Sequence, residues 1–112
     1  MFIVINTTYP NSDEGRKMLQ KLQSLVFANS LASCIQTWQI ASCYQWQGEV
    51  VSDNEIAVSI KASEANFSEI SNLIRQNHCY ELPEIIYCKI AGGSSEYLEW
   101  LSLPINHLNQ PE

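Results

Sequence analysis

The sequence predicts an α+β sandwich, an antiparallel four-stranded sheet with helices packed on one face. Three observations lead there. The hydrophobic period runs strand, helix, strand, strand, helix, strand, helix, which is a split β-α-β unit repeated. The 112 residues suffice for one core and not for two. A hydrophobic fraction of 46% against a charged fraction of 16% describes a folded chain rather than a disordered one.

Phe2-Ile3-Val4-Ile5 is a β-branched apolar run and is read as a buried strand that ends at Thr7-Thr8-Tyr9-Pro10. Asn11, with Glu14 three residues on, has the spacing of a capping box. The helix that follows puts Met18, Leu19, Leu22, Leu25 and Val26 on one stripe and ends at Asn29. From Leu31 to Gln47 the period becomes two, with Trp38, Ile40, Ser42, Tyr44 and Trp46 on one face. Gln39, Ala41, Cys43 and Gln45 take the other face. Gln47-Gly48-Glu49 is the turn, Val50-Val51 and Ile56–Lys61 return, and Asp53-Asn54 is expected to kink the return strand. Ser63 is the expected N-cap of a second helix with Phe67, Ile70, Leu73 and Ile74 inward. A last strand spans Ile85–Ile90, and after Gly92-Gly93 a short terminal helix spans Glu96–Leu101. The domain is therefore placed at residues 1–102, with a polar tail over 103–112.

The two arms of the central hairpin are too long for a domain this small to cover. Their aromatic face, Trp38, Tyr44 and Trp46, is expected to lie bare and to need another subunit. The net charge of −6, with six basic residues scattered, argues against nucleic acid and anionic membranes as partners. The N-terminus has no basic n-region before its short apolar run, and no window reaches a membrane span, so a soluble cytoplasmic protein is expected. The four cysteines form no C-x-x-C pair and are expected to be thiols, Cys34 and Cys88 as small core residues and Cys43 as the more reactive one.

One stretch concentrates polar chemistry. His78-Cys79-Tyr80-Glu81-Leu82-Pro83-Glu84 stands at the joint between the second helix and the last strand. Imidazole, thiol and carboxylate are donors for copper or zinc, so a metal site is expected to use His78 with Cys79 and Glu84. In an extended chain His78 would share a face with Tyr80, and Cys79 with Glu81. Closing a tetrahedral shell would then need water or a second subunit. Against this stands a structural role, His78 satisfying carbonyls at the end of the second helix, with Glu81 and Glu84 pairing to Lys61, Arg75 or a neighbour's backbone. No nucleophile–base–orienter set is present, so an enzyme is not expected.

Several segments, in order and spacing, resemble the CutA family of divalent-cation tolerance proteins. They are Leu31–Cys34, Ser42–Glu49, Glu55 with the strand ending at Lys61, His78–Ile86 and Tyr97–Trp100. The match covers about residues 2–102. The resemblance implies a ferredoxin-like βαββαβ protomer with a long β2–β3 hairpin and a short C-terminal helix, assembled as a homotrimer. It also implies a link to copper and other divalent ions, and no established enzymatic activity. The trimer would be similar in form to PII-type signalling proteins, which bind effectors in inter-subunit clefts; a regulatory or scaffold trimer is the alternative reading. Three positions depart from the family pattern. His78-Cys79-Tyr80 stands where His-Pro-Tyr is usual, Lys61-Ala62 stands for Lys-Thr, and Asn6 stands where some relatives carry a cysteine.

Overall fold

The structure, a computed structural model, describes residues 1–106. Its elements are β1 (Phe2–Pro10), α1 (Asp13–Ala28), β2 (Ala32–Trp46), β3 (Glu49–Ser63), α2 (Phe67–Gln76), β4 (Ile86–Lys89) and α3 (Ser95–Asn106), with one 3-10 turn (Glu64–Asn66) before α2. The sheet order is β2-β3-β1-β4, every neighbouring pair antiparallel, which is the ferredoxin-like arrangement expected. Alternation along β1 sends Ile3, Ile5, Thr7 and Tyr9 to the face that α1 and α2 cover. Leu19, Leu22 and Val26 of α1 and Ile70 and Ile74 of α2 close the core over Ile56, Val58 and Ile60.

Local details correct several expectations. β1 does not stop before Thr7 but runs to Pro10, which pairs with Glu55 as the last rung, where a missing N–H costs least. The α1 cap is Ser12, whose Oγ accepts from the Gly15 N–H, and Asn11 instead accepts from the Arg16 guanidinium at 2.8 Å. Asp53 and Asn54 do not kink β3, since both keep register with Ser42 and Ala41. The Asp53 carboxylate is satisfied across the ladder by the Tyr44 hydroxyl, and the Asn54 carbonyl by the Asn11 N–H. The register break lies between Ala32 and Cys34. Ser63 makes no side-chain cap. Cys34 is half-buried and Cys88 exposed, because β4 is a short sheet edge with no helix over its outward face.

α3 is longer than the sequence suggests and packs on the sheet face opposite α1 and α2. Ser94 caps it through the Tyr97 N–H. Leu101 is buried and its carbonyl accepts from the Ser33 hydroxyl. Lys61 Nζ donates to the Tyr97 hydroxyl at 3.0 Å and lies 5.2 Å from that ring's centre. The hairpin turn is tight, with Gln47 at φ 50° and Gly48 at φ 81°, the positive pair that matches strand twist. Beyond the Pro10–Glu55 rung no third strand among the described residues pairs with the hairpin, so residues 41–54 form a two-stranded arm, held at its base by the Asn11–Asn54 bond, on a molecule 52 Å long.

Candidate functional site: the cleft beside the arm

The joint after α2 is braced before it reaches any ligand-accessible surface. Asn77 caps α2, its Nδ2 donating to the Leu73 carbonyl at 2.9 Å, and its own carbonyl accepts from the buried Tyr9 hydroxyl at 2.8 Å. His78 stacks on Tyr9 with centroids 4.1 Å apart. The Tyr80 N–H donates to His78 Nδ1 at 3.0 Å, which assigns the proton to Nε2; Nε2 then donates to the Thr8 carbonyl at 2.6 Å. Burial lowers the imidazole's pKa, the Thr8 bond opposing, so the neutral tautomer these bonds require is also the favoured one.

Both ring nitrogens of His78 are thus engaged with backbone. The carbonyl it satisfies belongs to β1, not to α2, so the structural role predicted for it is right in kind and wrong in partner.

Past His78 the chain bends through residues 79–82 instead of running extended. Side chains of both parities therefore reach one cleft, contrary to the two-face expectation. This cleft, of about 620 Å³, lies between the bend and the arm. Cys79, Tyr80, Glu81, Leu82 and Glu84 form one wall, and Ser42, Cys43, Tyr44 and Trp46 the other. Thr8 and Glu55, neighbours at the end of the β1–β3 ladder, form the floor.

Glu55 is the deepest charge, 6% exposed, and its Oε2 accepts from the Tyr80 hydroxyl at 2.9 Å. Burial, then this hydrogen bond to Glu55, pushes the Tyr80 phenol well above its usual range. Burial first and the Glu55 charge second raise the carboxyl of Glu84. Tyr44 is raised to about 12, chiefly by its bond to Asp53. Cys79 contacts Met18 with Sγ and Sδ 3.4 Å apart, and burial, then the Glu14 charge, raise its thiol pKa.

Of the predicted ligands, Cys79 and Glu84 line the cleft and His78 does not. Among the described residues no three His, Cys, Asp or Glu side chains converge as a metal site. An occupied imidazole, a thiol held protonated and scattered carboxylates do not fit a tightly ligated copper or zinc ion. Neither glutamate finds the expected cation. The ion pairs among the described residues are Arg16–Asp13 and Lys89–Glu64. Sequence reasoning did not single out Glu55 as a site residue. Its signal was a lone carboxylate abutting the apolar run Ile56–Ile60, in phase with Ile40 on the aromatic face.

The CutA1 divalent ion tolerance protein family matches residues 3–103. This chain belongs to that family. CutA, chloroplastic, of Arabidopsis thaliana is 37% identical over 100 residues, covering 88% of this chain and 53% of the plant protein. The divalent-cation tolerance protein CutA of Thermotoga maritima is 34% identical over 103 residues, covering 88% of this chain and 94% of its own length. The chain thus spans about half the length of the plant relatives it matches. CutA1 of Oryza sativa superposes with a TM-score of 0.82 at 33% identity, 92% of each chain covered. A protein from Archaeoglobus fulgidus described as a periplasmic divalent cation tolerance protein superposes with a TM-score of 0.84 at 25% identity, over 94% and 99% of the two chains. The shared CutA region thus holds the whole cleft and most of α3.

Proposed function

We propose that this CutA-family chain serves divalent-ion tolerance as a binding protein without catalytic chemistry, assembled as a homotrimer, its ligand held in the cleft. Family membership supports the tolerance role, as the relatives' names state it for them. The observation that carries the cleft is Glu55, a nearly buried carboxylate facing a cavity whose lining includes no lysine or arginine. A buried charge without a counter-charge is costly, and a bound cation relieves that cost. No helix among the described residues is long and apolar enough to cross a membrane. We place the protein in the cytoplasm, although plant relatives are named chloroplastic and the A. fulgidus protein periplasmic.

The expected copper site of His78, Cys79 and Glu84 is carried forward in a narrower form. Glu84 and Cys79 are at hand, and His78 joins only if its bond from the Tyr80 N–H opens. Titration of demetallated wild type, His78→Ala and Glu84→Gln with copper and zinc at pH 7 tests this. Loss of Glu84 should weaken binding tenfold or more, about 1.4 kcal/mol. Loss of His78 should change affinity by less than about twofold, because no free imidazole lone pair is removed. A tenfold loss in His78→Ala would restore the histidine as a ligand, and copper binding no tighter than to an unrelated acidic protein would remove the metal from this cleft. A second reading, a PII-like trimer that binds a small effector, is favoured by the cleft's aromatic and apolar walls of Tyr44, Trp46, Tyr80 and Leu82.

A further inference from the structure

The cleft combines two properties that a bare metal ion does not use together. Its charge is one-sided, with Glu55, Glu81 and Glu84 on the lining and no cationic side chain among them. Its walls are rings and hydrocarbon, Trp46, Tyr44, Tyr80 and Leu82. Tyr80 binds Oε2 of Glu55 and so aims that carboxylate. No protein donor among the described residues reaches Oε1. A hydrated divalent ion would satisfy the carboxylate but leave the aromatic faces wet. An alkyl cation satisfies both, by charge-assisted hydrogen bonds and cation–π contact at its head and by burial along its stem.

We propose that this cleft binds a primary alkylammonium ion, its head on the Glu55 carboxylate and its chain along Trp46 and Leu82. The proposal rests on the effector reading of the cleft and names that effector's chemical class. A primary ammonium offers three donors, enough for Oε1 of Glu55 and for Thr8 on the same floor. A quaternary ammonium offers none, and anionic nucleotides meet repulsion from three carboxylates. At about 620 Å³ the cavity admits a chain of several carbons. A diamine gains further, because a second ammonium meets Glu81 or Glu84.

The test is calorimetric titration of the full-length assembly with n-butylammonium, 1,4-diaminobutane, tetramethylammonium, 1-butanol and, separately, copper. Tryptophan fluorescence, compared between wild type and a Trp38→Phe, Trp100→Phe variant, reports on Trp46 in parallel. The diamine should bind at least tenfold more tightly than butylammonium, and both should outbind tetramethylammonium and butanol by tenfold or more. Glu55→Gln should weaken both amines at least tenfold. Glu84→Gln should weaken the diamine severalfold more than it weakens butylammonium, because only the diamine carries a second ammonium. If Glu55→Gln fails to fold by circular dichroism, Tyr80→Phe, which frees the carboxylate to swing, should weaken the amines severalfold. Wild-type amine affinity in whichever of these two variants folds overturns the proposal. Butanol binding as well as butylammonium also overturns it while leaving a small-molecule cleft intact. Copper binding without amine binding overturns both this proposal and the effector reading it rests on.

Discussion

At the scale of single residues, the structure separates groups that hold the joint from groups free to bind. His78 is the clearest case. Its position at a polar helix–strand joint was legible from the sequence. Its availability was not, since the two bonds that occupy it come from Thr8 and from the Tyr80 main chain, one of them seventy positions away. Glu55 went unnoticed as a site residue for the converse reason. A lone glutamate in a strand looks like a surface charge until β1 and the bend close over it. Thr7 marks a local flaw. It is 1% exposed on the helix-covered face of β1, and its hydroxyl has no hydrogen-bond partner among the described residues. Replacing an unsatisfied buried hydroxyl by a methyl of the same shape removes a desolvation cost of about 1–3 kcal/mol. Thr7→Val should therefore raise the urea midpoint without changing the m-value. A lower midpoint would mean that the hydroxyl makes a bond the structure does not contain, such as one to an internal water.

At the scale of elements, periodicity located every strand and helix and misjudged their ends. Each misjudged end has a tertiary cause. β1 continues to Pro10 because Glu55 offers one more rung. β3 stays straight through Asp53 because Tyr44 pays the aspartate a hydrogen bond across the ladder. α3 extends past Leu101 because Ser33 anchors that turn to the sheet. The α1 entry shows the same dependence most sharply. A Cβ on Gly15 would lie 2.0 Å from the Pro10 carbonyl oxygen and 2.8 Å from Pro10 Cγ, so α1 can start this close to the end of β1 only on a glycine. Helix propensity alone would make Gly15→Ala stabilising by about 1 kcal/mol. The clash reverses the sign. We expect Gly15→Ala to destabilise by about 1–3 kcal/mol, as overpacked sites do, measured by chemical denaturation. It should also loosen the floor of the cleft, since Thr8 stands two residues before Pro10. A stabilised variant would show that α1 slides away from β1 without loss.

At the scale of the whole molecule, the protomer is incomplete by its own physics. The core gathers over the sheet region spanned by β1, whereas the arm of residues 41–54 projects with Trp46 and Tyr44 exposed and no third strand beside it among the described residues. A two-stranded ribbon is marginal in water on its own. Trp38 is 51% exposed on the same face, and Ile86 is 56% exposed on β4 at the opposite sheet edge, with Tyr97 and Trp100 bare on α3. A monomer seldom carries so much apolar surface on its edges, and two open edge strands on one small sheet invite pairing with further copies. The hairpin's length and aromatic period made this legible from sequence. The number three comes from the family resemblance, because one protomer's surface fixes no symmetry. We expect light scattering after size exclusion to give about three times the protomer mass of 12.7 kDa. Trp46→Ala should weaken that assembly by about 3–5 kcal/mol per ring if the indole is buried between subunits, while circular dichroism stays unchanged. Because Trp46 also lines the cleft, this variant should lose ligand and assembly together, whereas Glu55→Gln should lose ligand alone. A monomer at micromolar concentration would show that the arm stands unaided, a dimer would reject the threefold count, and a Trp46→Ala trimer as resistant to dilution as wild type would place the ring on an outer surface.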